Sequence, residues 1–329
     1  MTDAAKFEKI YERERVKIDR ELHKIFREKK PLSLYQPASY ILTLPGKRLR
    51  PFLVLLTANV CGKKFSEVYR AALALEMMHT FTLVHDDIMD NADKRRGSDT
   101  LHKKYDLSTA ILSGDGLLSI AYNYLIKDAN VNTRTVIAEF TNGLIEVCEG
   151  QSLDKEFETR SKVSLDEYLT MIDKKTAIMI ETCCAIGSLL AGADAGTVKT
   201  LKKFGKNLGM AFQIQDDLLD VIGEEKEFGK KIGGDLIEGK KTFLFLDALA
   251  KAKGKDLLDL KKVITNKGIK SNEVAHYRAI YERVGTFESA KKKIKFYSDK
   301  AEKCLKQLPD SGEMNILVWL TDKLIKRKY

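Results

Sequence analysis

At 329 residues, 44% hydrophobic and 32% charged, the chain has the composition of a folded globular protein with room for a sizeable core. A formal net charge of +10 would suit a nucleic acid, an anionic membrane surface or an anionic small substrate, but the lysines and arginines are scattered along helical faces and read mostly as solvating charge. The N-terminus is charged where a signal peptide needs an apolar run, no stretch approaches about 18 uninterrupted apolar residues, and Cys61, Cys148, Cys183, Cys184 and Cys304 show neither a CxxC nor a metal-like spacing with histidines, so a cytoplasmic protein with reduced core thiols is expected, neither secreted nor membrane-spanning.

From the N-terminus, Phe7, Ile10, Tyr11, Ile18, Leu22, Ile25 and Phe26 recur at helical spacing and predict a first helix. Pro31, Pro37, Pro45 and Pro51 follow, and the next proline is Pro309. The stretch from Phe52 to Leu308 is thus free to be almost continuous helix and turn, with a helix beginning near Phe52. Breaks fall at CGKKFS, RRGSD, AGADAG and GEEKEFGKKIGGD. Clean strand alternation is not evident anywhere, no boundary has the composition of a linker, and no repeat of roughly 20 to 50 residues occurs. The expectation is an all-α protein in which residues 1–329 form a single helical domain.

Within that helical stretch His85 to Asp90 reads HDDIMD and Gln215 to Asp220 reads QDDLLD. On a helix, residues i and i+4 share a face, so Asp86 and Asp90 point the same way with Asp87 beside them, and Asp216, Asp220 and Asp217 repeat the arrangement. Like charges among Ile88, Met89, Leu218 and Leu219 repel and resist ionisation unless cations compensate. A lone DDxxD is more often a solvated helix face, but here that reading has to hold twice. All-oxygen carboxylate ligation suits Mg2+, which keeps several waters and takes one or two carboxylates plus phosphate oxygens. The implied ligand is a di- or triphosphate.

Cations of the phosphate-binding kind accompany both clusters: GKRLRP at Gly46 to Pro51, KRRG at Lys94 to Gly97, KKT at Lys174 to Thr176, GKK at Gly229 to Lys231 and EGKKT at Glu238 to Thr242. No GxxxxGK[ST] occurs, so a P-loop nucleotide site is not supported. A diphosphate held by metal and lysines remains.

In this order and spacing, GKRLRP, EMMHTFTLVHDDIMDNADKRRG, KT, GMAFQIQDDLLD and GKKIGGDLIEGKKT, between about Ser39 and Phe245, resemble the trans-isoprenyl diphosphate synthases of the polyprenyl synthetase family. The resemblance implies the isoprenoid synthase fold, with about ten core helices around a deep central cavity, and a homodimer. It implies head-to-tail condensation of isopentenyl diphosphate with an allylic diphosphate (dimethylallyl, geranyl or farnesyl), with no nucleic acid as partner. About three Mg2+ ions per active site are implied, with Mn2+ as an alternative ion. Carried over to this chain, Asp86, Asp90 and Asp216 would hold the metals, and Asp87, Asp217 and Asp220 would complete the clusters. Arg95, Lys175 and Lys230, assisted by Lys240, would grip the allylic diphosphate; Lys47, Arg50, His79 and Arg96 would bind isopentenyl diphosphate. Thr176 of the KT motif would bind substrate, and Gln213, three residues before Asp216, resembles the residue that steadies the carbocation or its leaving group.

Other readings of these residues stay open at this level. A histidine beside Met77 and Met78 is commonly a satisfied core residue, Lys47 and Arg50 could be basic residues at a helix entry, and Lys326, Arg327 and Lys328 read first as a solvated tail. A terpene cyclase would need neither GKRLRP nor an aspartate-rich second motif; a non-catalytic partner subunit should have lost aspartates. In the family, product length depends on side chains just before the first cluster. Here Phe81 and Thr82 precede Asp86 by five and four positions, with Met78 behind them. One aromatic with a short DDxxD is the pattern of archaeal-type geranylgeranyl synthases. It favours a twenty-carbon product, with fifteen carbons, or both, as the alternative.

Overall fold

The computed structural model describes residues 3–129, 132–223, 232–309 and 312–325. Among them the chain is helical almost throughout. α1 (Asp3–Lys24) buries Phe7, Tyr11, Ile18 and Leu22 in one stripe, with Asp3 in its first turn and His23 and Lys24 in its last, where the helix dipole favours each sign. Pro31 caps α2 (Leu32–Leu42), and Pro37 lies inside it. α3 (Leu49–Val60) begins at Leu49 rather than near Phe52, because Pro51 falls in its first turn, where a missing N–H breaks no helical bond. α4 (Tyr69–Met89) has an unbroken buried run from Ala71 to Met78, the mark of a helix surrounded by others.

Two short strands follow, β1 (Lys94–Arg95) and β2 (Ser98–Asp99), paired antiparallel with Arg95 opposite Ser98. They leave the all-α class intact: a ladder two residues long carries no alternation to read, and the break at RRGSD is the turn of this small hairpin. After α5 (Leu101–Lys104), the side chain of Asp106 caps α6 (Leu107–Asp128) by accepting the Thr109 N–H at 2.8 Å. α7 (Thr133–Thr159) leads to α8 (Leu165–Ile172), which opens with a Ser164/Glu167 capping box. α8 then passes through one π-helical turn, Asp173–Ala177, into α9 (Ile178–Leu190). The remaining helices are α10 (Ala195–Ile222), α11 (Gly234–Ile237), α12 (Phe243–Lys251), α13 (Gly254–Asn266), α14 (Val274–Arg283), α15 (Thr286–Leu305) and α16 (Gly312–Ile325).

Packing divides the described residues into two compact units, one from residues 1–144, 179–202 and 308–319, the other from 145–178, 203–307 and 320–329. In the first, α4 packs along α6 and α3, and α2 lies on α6. In the second, Leu218, Phe243, Leu244, Tyr277, Tyr281 and Ile294 share one apolar core. Cys183, Cys184 and Cys304 are buried, whereas Cys61 is half-buried and Cys148 exposed. The core-thiol expectation fails for Cys148 because Val147, Gly150 and Gln151 occupy the buried face of α7. No described helix is long and apolar enough to cross a membrane.

Candidate active site

The first aspartate motif closes α4, with Asp90 as its C-cap. Asp86 is half-buried, Asp90 exposed, and Asp87 buried at 2% exposure. Arg95 holds Asp87, its Nε 2.8 Å from both carboxylate oxygens and a terminal nitrogen 2.6 Å from Oδ1. The hairpin makes this possible. Its two loop residues, Arg96 and Gly97, have φ of 52° and 79°, the doubly left-handed pattern of a type I′ turn, which is costly for an arginine and natural for a glycine. The turn sends the neighbouring side chains to different partners: Arg95 returns to Asp87, while Arg96 lies against Gly46, where a Cβ would stand 2.7 Å from its guanidinium.

Around Gly46 the same unit gathers positive charge. Arg48, in the left-handed conformation at φ 48°, buries its guanidinium between Asp19 (2.6 Å) and Glu76 (2.7 Å) and donates to the carbonyls of Leu42 (3.3 Å) and Leu44 (2.7 Å). Burial alone would lower its pKa; Glu76 and Asp19 raise it above the ordinary arginine value. Arg48 is therefore a clamp for the loop that carries Lys47 and for the start of α3, where Arg50 lies. The Lys47 carbonyl is in turn held by the Tyr11 hydroxyl. Arg50 lies 3.2 Å from His79 Nε2. Lost hydration, then Arg50, Arg96, Arg95 and Arg48, hold the half-buried His79 well below the usual imidazole value, so it is neutral. Burial depresses Arg96 too; Arg48, Arg95 and Arg50 add to that and Glu76 opposes it. Several guanidiniums and an imidazole thus gather around one loop, the donor chemistry that suits an anionic oxygen ligand.

In the second unit α10 presents Gln213, Asp216, Asp217 and Asp220. Asp217 is buried at 3% exposure and accepts from the Tyr168 hydroxyl, from Gln213 Nε2 (3.0 Å) and from the Phe243 N–H (3.2 Å). Burial, then the Asp235 carboxylate, pushes its pKa up to about 7 against those hydrogen bonds. The Thr176 hydroxyl donates to Gln213 Oε1 at 2.9 Å. Asp220 Oδ2 accepts the Asp235 N–H at 3.1 Å, and Asp216 is half-buried.

The KKT motif lies in the π-helical turn, whose extra residue fans its side chains outward. Lys206 binds Asp173 (2.5 Å), Lys174 binds Glu146 (2.7 Å) and Glu149 (2.5 Å), and Lys175 binds Asp154 (2.5 Å). Two glycines admit the turn. A Cβ on Gly150 would stand 2.7 Å from Lys175 Cα, and one on Gly209 would stand 2.5 Å from Ala177 Cα. Lys240 pairs with Glu238 at 2.7 Å. Lys230 and the basic tail Lys326, Arg327 and Lys328 lie outside the described residues.

Among the described residues no three histidine, cysteine or carboxylate side chains form a ready metal centre. Arg95 engages Asp87, and Tyr168, Gln213 and Phe243 engage Asp217; beside these buried carboxylates each motif carries two more hard oxygen groups, Asp86 with Asp90 and Asp216 with Asp220. Pairs fit Mg2+, which takes one or two carboxylates and completes its shell with water and phosphate. Of the residues ahead of the first motif, Phe81 is 9% exposed, its ring centroid 4.5 Å from that of His85 with the two planes tilted by 53°, and close to Gly114 of α6. Met78 is fully buried, and the Thr82 hydroxyl donates to the His79 carbonyl at 2.8 Å.

Sequence reasoning assigned no role to Arg48 and Gly209, although GKRLRP and GMAFQIQDDLLD contain them, and passed over Tyr168, Asp154 and Gly150, which lie outside those motifs. The glycines left a further signal: each interrupts an otherwise regular helical pattern, and a helix glycine costs about 1 kcal/mol without a packing reason.

A family model described as polyprenyl synthetase matches residues 31–284. A geranylgeranyl diphosphate synthase of Methanosarcina mazei is 36% identical over 317 residues, covering 95% of each chain. A geranylfarnesyl diphosphate synthase of Natronomonas pharaonis is 36% identical over 318 residues, 91% of this chain and 92% of that one. The crystal structure of a geranylgeranyl pyrophosphate synthetase from Pyrococcus horikoshii superposes with a TM-score of 0.88 at 33% identity, covering 98% of both chains. The chain belongs to the polyprenyl synthetase family and is a prenyltransferase.

Proposed function

We propose that this chain is a short-chain trans-prenyltransferase that condenses isopentenyl diphosphate head-to-tail with dimethylallyl, geranyl and farnesyl diphosphates to give geranylgeranyl diphosphate. The observation that carries the reading is the divergence of Arg95 and Arg96, one turned to the aspartate motif and the other to the GKRLRP loop. An enzyme that handles two diphosphates needs two separate sets of cations.

On this reading Lys175, Arg95 and Lys240, together with Lys230, bind the allylic diphosphate, and Lys47, Arg50, Arg96 and neutral His79 bind isopentenyl diphosphate. Asp86 and Asp90, and Asp216 with Asp220, would hold about three Mg2+ ions, or Mn2+ in their place, which when bound offset the charge of the departing diphosphate. The allylic carbon–oxygen bond breaks with both electrons leaving on the diphosphate. The isopentenyl double bond then joins the allylic carbon, and a proton leaves to the released diphosphate. Gln213, with its oxygen and nitrogen each held, is a fixed dipole beside that charge. Apolar helix walls keep out the water that would quench the cation. Phe81, Thr82 and Met78 limit chain growth. Leu107, Ile111 and Leu112, exposed on α6, support a homodimer, and we read residues 1–329 as one working domain in the cytoplasm.

The test is incubation with labelled isopentenyl diphosphate, Mg2+ and each primer, followed by chromatography. A twenty-carbon diphosphate is expected; fifteen or twenty-five carbons would correct the product alone, and no chain extension with any primer would overturn the reading.

A further inference from the structure

Tyr168 belongs to no motif of the sequence, yet it ends a chain of hydrogen bonds that runs through Asp217 and Gln213 to Thr176 of the KKT motif. It lies on α8, five residues before the π-helical segment, with 2% of its surface exposed. Its hydroxyl donates to Asp217 Oδ2, which also accepts the Phe243 N–H at 3.2 Å. Two donors on Oδ2 leave Oδ1 as the acceptor for Gln213, whose Nε2 donates to it at 3.0 Å. An amide whose nitrogen faces Asp217 must turn its oxygen the other way, where the Thr176 hydroxyl donates at 2.9 Å. The direction of the chain is set at its Asp217 end. Reversing the amide would place its oxygen against a carboxylate oxygen and its nitrogen against the Thr176 hydroxyl.

We propose that Tyr168 is a positioning residue for the prenyl transfer: by occupying one oxygen of Asp217 it reserves the other for Gln213 and so decides which end of that amide is presented to Thr176. The inference rests on the prenyltransferase reading above. The aromatic ring fills the core around Phe157, Met171 and Leu218 whether or not it carries a hydroxyl, so packing and positioning separate in one substitution.

Tyr168→Phe keeps the ring and removes only the hydroxyl. With both substrates saturating, turnover should fall at least about tenfold while the KM for isopentenyl diphosphate stays within about twofold. Unchanged turnover would overturn the proposal. In a Gln213→Ala background the same substitution should cost nothing further, because the group it acts through is gone; additive losses would show that it acts elsewhere. A third measurement stands apart from turnover. With glutamine labelled in nitrogen-15, the side-chain amide signals of Gln213 should shift and exchange faster with water in Tyr168→Phe. Signals unmoved by the substitution overturn the proposal. A wild-type protein without turnover removes the prenyltransferase reading and this proposal's tie to it, and the amide signals still decide whether Tyr168 orients Gln213.

Discussion

Arg95 closes on Asp87 with two prongs, Nε 2.8 Å from both carboxylate oxygens and a terminal nitrogen 2.6 Å from one. The second aspartate of the motif is thereby a structural partner of the hairpin, while Asp86 is half-buried and Asp90 exposed. Asp86→Ala and Asp216→Ala should each lower turnover by roughly a thousandfold and leave Tm unchanged or raised, since removing one like charge relieves repulsion. Asp87→Asn should instead destabilise by about 1–3 kcal/mol, because a buried arginine contact loses its charge-assisted acceptor. Steady-state kinetics and thermal melts of the three variants check this. The same kinetic and thermal signature in all three would sink the division.

The two arginines of the hairpin predict separable kinetic defects. Arg96→Ala and Lys47→Ala should mainly raise the KM for isopentenyl diphosphate, and Lys175→Ala should mainly lower kcat or raise the allylic KM. Initial rates over a grid of both substrates measure this. Identical defects toward both substrates in every variant would refute two cation sets.

His79 gives the metal-free protein an acid sensitivity of known sign. Its folded pKa lies well below the ordinary value of 6.5, so between the two values the unfolded chain binds a proton that the native state refuses. Its contribution to stability is full above about pH 6.5 and is lost as pH falls below it, at up to about 1.4 kcal/mol per pH unit. His79→Gln should narrow the difference in Tm between pH 7.5 and pH 5.5. An equal difference in wild type and variant would place the acid sensitivity elsewhere.

Gly150 offers a test of the π-helical turn in which two effects have opposite signs. Alanine in a helix interior normally stabilises by about 1 kcal/mol. Here its Cβ would meet Lys174 C and Lys175 Cα at 2.7 Å, and overpacking of this kind costs about 1–3 kcal/mol. Gly150→Ala should therefore lower Tm and reduce turnover together, as the backbone of Lys175 is displaced. A melt at or above the wild-type temperature with full turnover would show that the turn tolerates the shift.

Phe81→Ala should lengthen the product. A growing apolar chain stops where a side chain does not yield, and Phe81 stands about 7.5 Å along α4 from Asp86 at 1.5 Å per residue. Its ring rests against His85 and near Gly114, so truncation also opens space, at a cost of about 3–4 kcal/mol. Chromatography of the products made by the folded variant is the measure: chains beyond the wild-type limit support the floor, and an unchanged distribution moves the role to Met78.

The all-α class, the pairing of aspartates at i and i+4 and the cations that accompany them were legible in the sequence because each depends on residues close together in the chain. Helical periodicity puts Asp86 and Asp90 on one face whatever lies around them. The local pattern was silent on which aspartate turns inward. That depends on partners chosen by packing: Arg95 through an arginine held in the left-handed turn, Tyr168 across 49 residues from Asp217, and Glu76 across 28 from Arg48. A carboxylate or guanidinium removed from water must find a counter-charge or a donor wherever the fold supplies one, and that supply exists only once distant helices have met. The same holds for the π-helical turn. KKT reads as two lysines and a threonine on one helix, but only the approach of Gly150 and Gly209 and the ion pairs on either side decide that Lys174 binds Glu146 and Glu149, Lys175 binds Asp154 and Thr176 binds Gln213.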